Sequence, residues 1–118
     1  MRVALVVEDA PNIRRFLVIV LASLDYVVHE ADSGRAAEQL IHLTTYDLVV
    51  LDVYLPDILG LDLIPLVRTA RSRVPILGIS INDAWAMEAR TQDADGFLKK
   101  PFNWDELIAA VRRVERPA

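Results

Sequence analysis

The chain has 118 residues, enough for one domain with a real core, and 53% of them are hydrophobic. It has no cysteine, which excludes disulfides and thiolate metal centres and fits a reducing cytoplasm. A formal net charge of −4 without a basic stripe argues against nucleic acid as a direct partner, and no apolar run nears the ~18 residues of a membrane span.

An apolar stretch begins at Val3, so no secretory leader is expected, and no repeat or linker divides residues 1–118, which read as one domain. Residues 3–7 read as a buried strand that runs into Glu8-Asp9. Pro11 then opens a helix over 12–24, with Ile13, Phe16, Leu17, Val20, Leu21 and Leu24 on one stripe. A second strand is expected over 26–30. Ser33 is placed to cap a helix over 34–43, with Ala36, Ala37, Leu40 and Ile41 inward. His29 and His42 show no partner pattern and receive no role.

Leu48-Val49-Val50-Leu51-Asp52 is the third strand, and Pro56 stops the chain soon after it. Gly60 turns into a helix over 61–70, where Pro65 predicts a late start or a kink. A fourth strand over 74–80 ends at Ser80, and a helix over 84–91 follows. Residues 96–99 form a short fifth strand ending at Lys100-Pro101. The last helix spans 104–115, capped by Asn103, with Leu107, Ile108, Val111 and Val114 inward.

Five apolar strands alternating with five helices predict a doubly wound α/β fold, a parallel sheet covered on both faces. Parallel strands point the same way, so Glu8, Asp9, Asp52, Ser80 and Lys100 gather at one edge of the sheet, where such folds bind ligands. Clustered carboxylates repel each other by ~4 kcal/mol per pair at 4 Å and an effective dielectric of ~20. Such a cluster wants a cation, and an all-oxygen donor set favours Mg²⁺ or Mn²⁺ over zinc. Asp9 and Asp52 are the expected direct ligands, with Glu8 acting through a water. With a lysine opposite and a hydroxyl at Ser80, the group describes a carboxylate that accepts a phosphoryl group.

The stretches Val6-Val7-Glu8-Asp9-Ala10-Pro11-Asn12, Asp52-Val53-Tyr54-Leu55-Pro56-Asp57-Ile58-Leu59-Gly60, Ile79-Ser80 and Phe97-Leu98-Lys99-Lys100-Pro101-Phe102 resemble the receiver domain of two-component response regulators. That resemblance implies the flavodoxin-like receiver topology, with strand order 2-1-3-4-5. It implies Asp52 as phosphoacceptor, Glu8 and Asp9 as metal-binding acids, and the Tyr54 carbonyl as a further ligand of Mg²⁺. It makes Ser80 the hydroxyl that follows the phosphoryl group, Lys100 its lysine, Pro101 a cis-proline and Phe97 the aromatic that switches. The implied donor is a histidine kinase or phosphotransfer protein in the cytoplasm. The domain then handles only its own phosphoryl group and is no turnover enzyme.

Three positions depart from the family pattern. Ile81 stands where a small residue is usual and is expected to slow hydrolysis of the acyl phosphate. Asp93 replaces a glycine that commonly ends the preceding helix, and Asp25 replaces a common turn glycine. On the first helix, Val18 and Ile19 face away from the buried stripe, flanked by Arg14 and Arg15, and read as a recognition patch for the donor or a second copy of the domain. Two other readings are a phosphorylation-independent docking module and an aspartyl-nucleophile phosphatase. The latter wants a second acid at the position Tyr54 occupies.

Overall fold

The computed structural model describes residues 1–81 and 93–115. In chain order the elements are β1 (Arg2–Val7), α1 (Pro11–Ser23), β2 (Tyr26–Ala31), α2 (Gly34–Leu43), β3 (Leu48–Asp52), a 3₁₀ turn (Gly60–Leu63), α3 (Ile64–Ala70), β4 (Ile76–Ser80), β5 (Gly96–Lys99) and α4 (Trp104–Val114). The five strands form one sheet in the order β2-β1-β3-β4-β5, and every ladder is parallel. Four α-helices fall among the described residues. The helix expected over 84–91, with Trp85 and Met87, lies outside them.

Why the strands are apolar without alternation is visible in the two core layers. Ala4, Val6, Val50 and Ile79 point to the face covered by Leu17, Val20 and Leu21 of α1 and Leu107, Val111 and Val114 of α4. Leu5, Val7, Val49, Leu51 and Ile76 point to the other face, against Ala37 and Ile41 of α2 and Ile64 and Val67 of α3. Successive strand residues thus feed opposite cores, and both sets must be apolar.

The helix starts follow their local chemistry. Pro11 takes the first position of α1, one residue earlier than expected, where its missing N–H removes nothing. Ser33 Oγ accepts from Ala36 N at 3.2 Å, and Asn103 with Glu106 forms a reciprocal capping box on α4. Pro65 delays α3: the chain winds as a 3₁₀ turn to Leu63 and becomes α-helical only at Ile64. Strand β4 starts at Ile76 rather than at 74, because Pro75 offers only its carbonyl, which accepts from Val49 N at 3.0 Å. Asp25 takes φ 70°, the left-handed conformation a glycine would otherwise supply, and Asp is among the residues that tolerate it.

His29, assigned no role from sequence, meets Tyr46 Oη through Nδ1 at 2.8 Å, with the rings edge to face. That pairing satisfies a buried phenol that only the fold brings near β2. Among the described residues, no helix is long and apolar enough to cross a membrane.

Candidate functional site

β1 and β3 are neighbours, so their carboxyl ends deliver Glu8-Asp9 and Asp52 side by side. In the β3–β4 ladder Asp52 pairs with Ile79, which brings Ser80, buried at the next position, to the same edge. Lys100 arrives from the end of β5, where its N–H donates to the Ser80 carbonyl at 2.7 Å, and its peptide bond to Pro101 is cis, as expected.

Lys100 Nζ lies 2.7 Å from Glu8 Oε1 and 2.8 Å from Asp52 Oδ2. The second Asp52 oxygen, Oδ1, accepts from Tyr54 N at 2.9 Å. Asp52 is therefore gripped on both oxygens, by an ammonium and by an amide. Glu8 points inward and is wholly buried, with Oε2 accepting from Ala10 N at 3.1 Å, while Asp9 is exposed. Glu8 Oε1 has the Lys100 ion pair, which is not aligned as a hydrogen bond. Burial, joined by the neighbouring Asp52 charge and resisted by the Lys100 ammonium and the Ala10 amide, pushes the Glu8 carboxyl up to about 7. Burial alone would lower the Lys100 pKa, but the Asp52 and Glu8 carboxylates outweigh it and raise it.

One carboxylate oxygen from each of Glu8, Asp9 and Asp52 lies within 4.8 Å of the others. Among the described residues, Lys100 pairs with two of these three carboxylates, Glu8 and Asp52. The donor set is hard oxygen throughout, so the group fits a divalent cation of the magnesium type. An opening of about 270 Å³ over Asp52 is lined by Tyr54, Ile81 and Lys100. Ile81 is 69% exposed and also borders a larger apolar groove with Ile13, Phe16 and Phe102.

Phe97 sits half-buried on β5 with its ring against Gly78, where a Cβ would lie 2.6 Å from Cε1. The inward position of the ring thus depends on a glycine in β4. On α1, Ile19 is 48% exposed, but Val18 is half-buried, so the two are not the equal surface pair their spacing predicts. Arg14 departs further. It donates to the Glu8 carbonyl at 2.9 Å and pairs with Glu30 at 3.3 Å, fastening the β1–α1 loop instead of rimming a patch. Helical spacing placed its Cα correctly, but a long side chain reaches back across its own turn.

The sequence pattern of the response regulator receiver domain matches residues 4–112. The chain belongs to that family. Receiver-bearing relatives include the probable transcriptional regulatory protein SilR of Salmonella typhimurium, 36% identical over 116 residues that cover 95% of this chain and 50% of that protein. The transcriptional regulatory protein CusR of Escherichia coli K12 is 35% identical over 116 residues, again 95% of this chain and 50% of CusR. This receiver chain spans about half the length of the curated relatives it matches. Among solved structures, response regulator TrrA of Thermotoga maritima, in complex with Mg²⁺–BeF, aligns with TM-score 0.87 and 32% identity over 97% of this chain and 99% of that one. The receiver fold, with its 2-1-3-4-5 sheet, is thus shared with response regulators of two-component signalling.

Proposed function

We propose that residues 1–118 act as one receiver unit in which Asp52 accepts a phosphoryl group from the phosphohistidine of a histidine kinase or phosphotransfer protein. What supports this most directly is the grip on Asp52, with Lys100 Nζ at 2.8 Å from one oxygen and Tyr54 N at 2.9 Å from the other. The acceptor is held still at the mouth of an opening large enough for a phosphoryl group.

In the transfer, the P–N bond of the donor imidazole breaks as a P–O bond forms to an Asp52 carboxylate oxygen. The donor ring leaves with the electron pair of the broken bond. Glu8, Asp9, Asp52 and the Tyr54 carbonyl are the residues that would hold Mg²⁺, and Mn²⁺ suits the same donors. Bound there, the ion would neutralise phosphoryl charge. Lys100 pairs with a phosphoryl oxygen, and Ser80 donates a hydrogen bond to another. Movement of Ser80 toward that oxygen loosens the packing of Phe97 and gives the domain a second state. The acyl phosphate is later hydrolysed on the same site, and no metabolite is turned over. The chain works in the cytoplasm, and it meets its donor or a second copy of itself through α1.

The test is mass spectrometry after incubation with acetyl phosphate and Mg²⁺. One phosphoryl adduct is expected on the native chain and none on Asp52→Asn. A native chain that gains no adduct would instead be a phosphorylation-independent docking module.

A further inference from the structure

We propose that Asp57 is a positioning residue for the acceptor: its carboxylate latches the loop after β3 onto the first turn of α2, and so holds the Tyr54 amide on Asp52. This rests on the reading of Asp52 as phosphoacceptor.

Asp57 stands exposed at the tip of the loop, far from the metal-binding acids in role but joined to them by backbone. Its Oδ1 accepts from Gly34 N at 2.9 Å and its Oδ2 from Arg35 N at 3.0 Å. Those amides open a helix and have no partner within it. Ser33, the helix's own cap, reaches only Ala36 N. The start of α2 is therefore capped jointly by its own serine and by a carboxylate from the loop that follows the acceptor. The Gly34 and Arg35 amides hold the Asp57 carboxyl below its ordinary pKa, so both bonds are charge-assisted at neutral pH.

An apolar contact reinforces the latch. Ile58 sits on Gly34 so closely that a Cβ there would lie 2.2 Å from Ile58 Cγ1. Between latch and acceptor the loop closes on itself. Leu55 N donates to Ile58 O at 3.2 Å, Tyr54 bridges Leu59, and Gly60 N donates to Val53 O at 2.6 Å. At the base of the same loop, Tyr54 N donates to Asp52 Oδ1. A tip fixed on α2 and a base fixed on Asp52 leave the Tyr54 peptide one orientation, with its N–H on the acceptor.

The test uses the full chain, labelled with ¹⁵N, in three variants: Asp57→Ala, Asp57→Asn and Ser33→Ala. The last removes the other cap of α2 without touching the loop. Readouts are hydrogen exchange of the Tyr54 amide, the Mg²⁺ dissociation constant by chemical-shift titration, and the rate of acyl-phosphate formation from acetyl phosphate. Asp57→Ala should speed Tyr54 exchange and weaken Mg²⁺ binding by about tenfold, the scale of lost outer-shell support. Asp57→Asn, with one neutral acceptor oxygen, should fall between, and Ser33→Ala should leave both quantities unchanged. Should Asp57→Ala fold poorly, the Asp57→Asn shift alone decides. Unchanged exchange and Mg²⁺ affinity in the Asp57 variants, or equal changes in Ser33→Ala, would overturn the latch. Failure of the native chain to form an acyl phosphate would instead overturn the acceptor reading, while the Tyr54 exchange rates would still judge the latch.

Discussion

A Cβ placed on Gly60 would lie 1.8 Å from the carbonyl oxygen of Asp52. The turn after β3 folds back under the end of that strand at a distance only hydrogen leaves open, and Gly60 N donates to Val53 O there. No glycine of the described residues has positive φ, so close approach rather than backbone conformation demands glycine here. Gly60→Ala should cost about 3 kcal/mol, because backbone and not a yielding side chain must move. Urea unfolding measures it; a loss under about 0.5 kcal/mol would mean that the turn shifts freely.

Among the described residues, Glu8, Asp9 and Asp52 crowd together with Lys100 paired to only two of them, a repulsion that a divalent cation would relieve. Mg²⁺ at ~100 times its dissociation constant should add about 2.7 kcal/mol of stability, if it binds only the folded state. Asp9, the exposed member, is a proposed ligand of that ion, so Asp9→Asn should remove most of the gain. Thermal unfolding with and without Mg²⁺ checks both, and an unmoved Tm in the native chain counts against the site.

Asp47 ties the start of β1 to the end of α3: Oδ2 accepts from Val3 N at 2.8 Å and Oδ1 pairs with Arg71 at 2.8 Å. Burial alone would raise its pKa, but the Val3 amide and Arg71 outweigh it and hold it below 3.8. A carboxyl lowered in the folded state stabilises above its unfolded pKa and loses that stabilisation as pH falls through the folded one. The stability difference between the native chain and Asp47→Asn should thus be level above about pH 5 and shrink on acidification below it. Unfolding free energies at several pH values give the curve; a difference that grows on acidification would contradict the pairing.

Ile81 borders the opening over Asp52 and is 69% exposed, so under the proposed function its branched side chain would obstruct a water attacking there. Truncation to Ala removes little buried surface and should leave stability within about 0.5 kcal/mol. It should speed decay of the acyl phosphate, followed by loss of adduct mass with time. Equal or slower decay would show that the side chain does not obstruct water.

Ile19 is the exposed member of the α1 patch, and Val18 is half-buried. Ile19→Lys should therefore leave stability within about 0.5 kcal/mol and small-molecule phosphorylation intact, while slowing transfer from a protein donor or weakening self-association. Val18→Glu, by contrast, should cost about 1 kcal/mol through lost packing alone. Unchanged transfer and oligomeric state in Ile19→Lys would show that the patch is plain surface.

The strand plan was legible in the sequence for a specific reason. Unbroken apolar runs such as Leu48-Val49-Val50-Leu51 satisfy two covered faces, only a parallel sheet covers both, and parallel strands bring Glu8, Asp52, Ser80 and Lys100 to one edge. Chain-local rules also placed the Ser33 and Asn103 caps and the late start of α3 at Pro65. Tertiary structure alone decided the rest. Glu8 turns inward to meet Lys100, which arrives from the end of β5, while Asp9 stays exposed. The glycines at 34, 60 and 78 answer to Ile58, the Asp52 carbonyl and Phe97, none of them a chain neighbour. Arg14 reaches the Glu8 carbonyl, Asp57 caps a helix it does not belong to, and His29 meets Tyr46 across the fold. Periodicity reports which way a residue faces along its own element; what it touches depends on the long-range packing of the whole chain.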